Sequence, residues 1–245
     1  MMADLGDVYR DTRREICDLV LALPDDERLR DVPATSGWTI RDVVAHLTGD
    51  AVCTVASDFP SAFFAAFGEP EVLGILNEWT AKQVSDRAGR SVEELVAEWD
   101  DAAGPVEAMM RGETPWTDAM PMFADRVLVT DLGVHQQDIY GALGIQRGRD
   151  GVPVKLGASG YIATMAFRLG AGGLAPLAFD FGTKTSMAGD GEPVATVSAS
   201  RFEFFRALSG RRNPDQIRAY GWDGDPEPYL RYFYPYGVRE GALTE

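Results

Sequence analysis

Apolar residues recur at helical spacing along the first two thirds of the chain and give way to short alternating runs in the last third. Leu5, Val8, Ile16, Leu19 and Val20 predict a helix from about Ala3 to Leu23, ended by the sequence LPDD. A second begins at Thr39, where Thr39-x-x-Asp42 has the form of a capping box, and carries Val43, Val44 and Leu47 inward to about Ala56. A shorter helical pattern covers Pro70 to Arg87. The third long helix opens on a further capping box, Ser91-x-x-Glu94, and runs through Val92, Leu95, Val96 and Trp99 to about Met110. The fourth spans about Ala124 to Leu143 and stops at Gly144, a common C-terminal signal. Between the second helix and the shorter one, Phe59, Phe63, Phe64 and Phe67 form an aromatic cluster expected to pack a core or line a pocket.

After RGRDGVPV the texture changes. Gly157 to Leu169 reads as a helix and AGGLAP as a linker, while LAFDFG, PVATVSA and DQIRAYGW read as short strands between turn residues. A helix, RFEFFRALSGRR, falls between the last two strands, and another, PEPYLRYF, follows them. The chain is therefore expected to be α+β, with a helical domain over residues 1–148 and a smaller α/β domain over 149–245. No internal repeat or low-complexity segment interrupts this organisation.

Composition narrows the function. The net charge is −15, and nucleic-acid binding needs clustered Lys and Arg, so no nucleic-acid partner is expected. Basic residues gather locally in SGRRNPDQIR, a run that could serve a small anionic ligand. The N-terminal segment MMADLGDVYRDTRRE is too charged for a signal peptide, and no apolar run reaches the ~20 residues that span a bilayer. These features predict a soluble cytoplasmic protein with no membrane partner. Cys17 and Cys53 belong to no CxxC pair and are too few for a disulfide framework, so reduced thiols are expected.

The two histidines carry the candidate chemistry. Asp131 and His135 are spaced i, i+4 on the fourth helix, so both side chains leave one face, and Asp138 shares it at i+3 from His135. With His46 from a facing helix, Asp131 and His135 would make a three-point metal site that leaves a coordination position open. Spacing alone favours the plainer reading, a pair of hydrogen-bonded helical histidines with Asp131 in a charge network. The metal reading gains because the chain's two histidines both fall on helices with carboxylates at matching spacing, Asp42 and Asp50 around the first and Asp131 and Asp138 around the second. Asp50, one turn from His46, is a reserve ligand, whereas Asp42 is more simply a cap. Cys53 lies seven residues from His46, a helical advance of ~10 Å that excludes it from the same ion.

The segment GWTIRDVVAHLTG, followed by a carboxylate-x-x-x-His-x-x-Asp helix ending in LG, resembles the mycothiol-dependent maleylpyruvate isomerase family of the DinB-like metalloproteins. ALSGRRNPDQIRAYGWDGDPEPYL is similar to that family's C-terminal module, so the likeness spans nearly the whole chain. The resemblance implies a DinB-like four-helix bundle holding a divalent metal, usually zinc, joined to a sterol-carrier-like α/β domain. It also implies that His46 is the first ligand and His135 the last, with Asp131 standing where the family has glutamate. Mycothiol is the implied thiol cosubstrate.

Coordination to zinc deprotonates a thiol whose free pKa is ~8.5, and a thiolate attacks electrophilic carbon. The expected activity is metal-dependent S-transfer to an electrophilic small molecule, or its thiol-assisted cis-trans isomerisation. An acidic substrate would want a cation, for which Arg211, Arg212, Arg218 and Arg231 are candidates. Two alternatives remain open at this point. One is a non-enzymatic binder of a small molecule or lipid, and the other is a metal-dependent hydrolase.

Overall fold

The computed structural model describes residues 4–60, 70–116 and 123–245. Phe63, Phe64 and Phe67 of the aromatic cluster lie outside these residues, while Phe59 packs on Trp79 with ring centroids 4.8 Å apart. The chain forms two compact units, Met1–Arg147 together with Glu245, and Gly148–Thr244.

The first unit contains α1 (Leu5–Ala22), the short α2 (Asp25–Arg28), α3 (Ile40–Ala56), α4 (Pro70–Ser85), α5 (Val92–Met110) and α6 (Ala124–Ala142). Local chemistry sets the ends. Thr39 Oγ1 accepts from the Asp42 N–H at 3.2 Å while Asp42 Oδ2 accepts from the Thr39 N–H at 3.0 Å. Ser91 and Glu94 make the same reciprocal pair at the start of α5. Each pair satisfies backbone donors that a helix start leaves open. At the other end of α3, Ser57 takes a left-handed conformation, and α6 gives way to Gly144 at φ +68°.

Four of these helices close into a bundle, because α1 packs on α5 and α6, and α3 packs on the same two. Ile16, Val20, Val43, Val44, Leu47, Leu95, Trp99, Val129, Leu132 and Ile139 are buried at that centre. Trp99 is fully buried and donates its indole N–H to the Tyr9 hydroxyl at 3.0 Å, so removing its ring should cost ~3–5 kcal/mol. The fourth helix in sequence, α4, stays outside the four and packs on α3. No helix of the described residues is long and apolar enough to cross a membrane.

The second unit comprises α7 (Val152–Ala171), β1 (Leu177–Asp180), β2 (Thr185–Ala188), β3 (Ala195–Ser198), α8 (Arg201–Leu208), α9 (Pro214–Arg218), β4 (Gly221–Asp223) and α10 (Glu227–Leu230), followed by a 3₁₀ turn at Arg231–Phe233. The sheet order is β2-β1-β3-β4, antiparallel at its outer pairs and parallel between β1 and β3. Leu177, Phe179 and Val197 share a core with Ile162, Met165 and Leu169 of α7 and Phe204 and Leu208 of α8. This α+β organisation is the fold class that the hydrophobic pattern predicts.

Three details differ from the pattern. DQIRAYGW is not one strand. Asn213 and Gln216 form a capping box and Pro214 occupies the first turn, so 214–218 is helical and the strand is confined to Gly221–Asp223. The strand β2 escapes a hydrophobic reading because, at the sheet edge, only Ala188 of its four residues is buried. The α7 helix begins at Val152, five residues ahead of the pattern, with Pro153 in its first turn where a missing N–H costs nothing.

Candidate functional site

The site lies where α3 faces α6 inside the first unit. His46 and His135 are both buried, and their rings meet edge-on with centroids 4.8 Å apart. His46 Nε2 is 3.4 Å from Asp131 Oδ2, and His135 Nε2 is 3.7 Å from Asp131 Oδ1. One ligand-type atom from each of His46, Asp131 and His135 lies within 4.8 Å of the others. The two residues of α6 reach this point from one face, as their i, i+4 spacing requires.

The donor set fits a cation. Asp131 Oδ2 is buried and, although His46 Nε2 stands 3.4 Å away, makes no aligned hydrogen bond, a costly state for a buried carboxylate oxygen. The Asp131 side chain as a whole remains 34% exposed, so the cluster is open to solvent on that side. Burial alone would lower the pKa of His46, but Asp50, Asp131 and the Gln83 hydrogen bond outweigh it and raise it to about 9. Burial and the charge of Asp131 push Asp50 upward, whereas desolvation of the inner Asp131 oxygen, which would raise its pKa, is outweighed by His135 and His46, which hold Asp131 well below the usual carboxylate range. These groups jointly favour a positive charge between them, and a divalent ion satisfies the same field.

The remaining ring nitrogens have their own neighbours. His46 Nδ1 is 2.7 Å from Gln83 Oε1, and His135 Nδ1 is 3.0 Å from Asp138 Oδ2. The His135 contact is close but does not form an aligned hydrogen bond. Asp50 Oδ2 stands 3.8 Å from His46 Nε2, and Asp50 Oδ1 accepts from Gln83 Nε2 at 2.9 Å. Asp42 serves the helix cap and takes no part.

Two neighbours of the cluster escape a reading based on histidine and carboxylate spacing. Trp38, in the turn before α3, lies over both rings, with centroids 5.2 Å from His46 and 6.3 Å from His135. Its place in GWTIRDVVAHLTG is the only signal the sequence offers. Gln83 comes from α4, 37 residues beyond His46, and no local spacing points to it.

Cys17 is buried and Cys53 partly so, and neither belongs to the cluster. The candidate arginines are engaged within the second unit. Arg212 forks onto Glu203 at 2.7 and 2.9 Å, and Arg218 holds Glu227 and Asp215. Arg231 donates to the Tyr232 hydroxyl and Arg211 to the Ser209 carbonyl.

A four-helix bundle with a His–Asp–His cluster between facing helices, in a chain that also carries a small α/β unit, defines a DinB-like α+β protein. The family model described as "Mycothiol maleylpyruvate isomerase N-terminal domain" matches residues 9–140, more than half of the chain. The chain belongs to this family, which is a family of enzymes. Among solved structures it is similar to a histidine-to-alanine mutant of the mycothiol-dependent maleylpyruvate isomerase, at 13% identity and a TM-score of 0.58 over 89% of this chain and 91% of that one. A second structure of the mycothiol-dependent maleylpyruvate isomerase aligns at 14% identity and a TM-score of 0.52, covering 84% and 88% of the two chains. At these identities the likeness concerns the fold. A search of curated proteins finds no match.

Proposed function

We propose that this chain is a metal-dependent thiol enzyme in which His46, Asp131 and His135 hold one divalent ion, zinc by the chemistry of the donors. Two imidazole nitrogens and one carboxylate form a three-ligand set of the kind that catalytic zinc sites use, with a position left for an exogenous group. When bound, the ion acts as a Lewis acid that favours the deprotonated form of a small thiol, for which mycothiol is the choice by family.

The protein's own groups shape the rest. Asp131 supplies negative charge inside the bundle and orients its buried Oδ2 toward the cluster. Trp38 covers the two rings and limits water on that side. The reaction class is addition of the thiol sulfur to an electrophilic carbon. In cis-trans isomerisation the C–S bond forms as the conjugated π bond opens, rotation follows about the resulting single bond, and the sulfur leaves as the double bond re-forms. In S-transfer the C–S bond persists and the electron pair of the opened π bond takes up a proton, balancing the one the thiol released.

The observation that carries this reading is the convergence of three ligand atoms within 4.8 Å around a buried carboxylate oxygen that makes no aligned hydrogen bond. The test is metal analysis of the purified protein, followed by assays of mycothiol consumption and of cis-trans conversion across a panel of electrophiles, with and without chelator. About one metal per chain and chelator-sensitive, thiol-dependent turnover are expected. Metal-free protein without thiol turnover would sink the proposal in favour of a non-enzymatic binder.

A further inference from the structure

Gln83 belongs to α4, outside the bundle, yet it is only 3% exposed, and both ends of its amide point into the site region. Its Nε2 donates to Asp50 Oδ1 at 2.9 Å, with Cys53 Sγ at 3.8 Å, while its Oε1 lies 2.7 Å from His46 Nδ1. The reverse orientation would set the amide oxygen against the Asp50 carboxyl oxygen and an NH₂ against the ring nitrogen. Asp50 thus decides which end of Gln83 faces the histidine. Because an amide oxygen can only accept, the ring must present an N–H there.

We infer that Gln83 is a positioning residue, oriented by Asp50, that holds His46 with its proton on Nδ1 and its Nε2 turned toward Asp131 and His135. For its consequence on metal binding this rests on the reading given under Proposed function; the ring orientation itself does not.

Two further features support the assignment. A Cβ on Gly49 would stand 2.6 Å from Gln83 Cβ and 2.7 Å from its Cγ, so the helix must lack a side chain where the glutamine crosses it. The run His46-x-x-Gly49-Asp50 therefore supplies the ring, the gap and the anchor for one amide, all from α3. The end of α4 is also held in place. Arg87 Nη1 donates to the Gln83 carbonyl at 3.1 Å, and the same guanidinium forks onto Glu98 of α5 through two bonds of 2.9 Å. A hydrogen bond that orients a ligand imidazole and raises its basicity is the usual role of such a partner.

The test uses the full ¹⁵N-labelled chain and long-range ¹H–¹⁵N correlation on the imidazoles, with and without Zn²⁺. In the wild type a slowly exchanging Nδ1–H of His46 is expected in both states, with the Nε2 shift moving on zinc addition. The Gln83→Glu, Asp50→Asn double variant keeps an acceptor for the ring and a donor–acceptor pair between the two side chains, and should keep the protected proton. Gln83→Met, checked for folding by circular dichroism, should lose that proton and weaken zinc affinity by ~10–100-fold. Should Gln83→Met fail to fold, Asp50→Ala frees the amide and should speed exchange of the same proton. A protected Nδ1–H that survives Gln83→Met, or Asp50→Ala if that variant is the one measured, overturns the assignment, as does zinc bound through Nδ1. If the wild type takes up no zinc, the metal reading falls, but the Nδ1–H signal still decides the role of Gln83.

Discussion

His46 of α3 and His135 of α6 meet edge-on, 4.8 Å between ring centroids, although 89 positions separate them in the chain. Trp38 lies over both, which provides an optical reporter of the cluster. A quenching ion such as Cu²⁺, added at one equivalent, should quench part of the tryptophan emission. In Trp38→Phe that component should vanish while uptake by equilibrium dialysis persists. Equal quenching in the two proteins would place the ion elsewhere.

Asp131 and Asp138 should separate in metal titrations. Asp131 contributes an oxygen to the cluster, so Asp131→Ala should abolish stoichiometric binding and Asp131→Glu should retain it. Asp138, against the far nitrogen of His135, should cost only ~10–100-fold in affinity when replaced by alanine. Full metal content in Asp131→Ala would show the ligand assignment to be wrong.

The cysteines should be dispensable. Burial pushes the Cys17 thiol up to about 11, and burial also raises Cys53, so neither supplies much thiolate near neutral pH. A Cys17→Ala, Cys53→Ser double variant should keep its metal and most thiol-dependent turnover. In the native wild type, iodoacetamide at pH 8 should leave Cys17 unmodified by mass spectrometry. Loss of turnover in a folded double variant would point to a protein-borne nucleophile.

Gly49→Ala offers a stability test of the approach between α3 and α4. Alanine is the better helix former by up to ~1 kcal/mol, so propensity alone predicts a gain. The added Cβ meets Gln83 at 2.6 Å, and overpacking costs ~1–3 kcal/mol, so a net loss is expected. A lower thermal midpoint by calorimetry supports the close approach, and an unchanged or higher one would contradict it.

In the second unit, Glu203 should make stability fall in acid. Burial alone would raise its pKa, but the Arg212 fork and the Tyr220 hydroxyl outweigh it and hold the pKa below the ordinary value. A depressed folded pKa adds stability that is present above the unfolded value of ~4.3 and is lost as pH falls through the folded one. The urea midpoint should therefore decline below about pH 5 in the wild type, and Glu203→Gln should flatten part of that decline. A Glu203→Gln profile that follows the wild type throughout would remove Glu203 from the acid response.

Much of this molecule was written locally. The helical spacing of apolar residues and the capping boxes at Thr39 and Ser91 are short-range properties, and those helices start where they indicate. The i, i+4 relation of Asp131 to His135 follows from helix geometry alone, so the sequence could place both on one face. Two of the three misread places in the second unit have local competitors to a hydrophobic reading. At DQIRAYGW the Asn213–Pro214 cap overrides a strand-like run, and β2 is a polar edge strand that buries only Ala188. What tertiary structure alone decided is which groups meet. The approach of His46 to that pair depends on the packing of α3 against α6, and Gln83 enters from a helix whose own spacing carries no mark of the site. The buried Asp131 oxygen without an aligned hydrogen bond and the gap at Gly49 are likewise properties of packed surfaces. A one-dimensional pattern records which face of a helix is apolar, but not which neighbour that face will find.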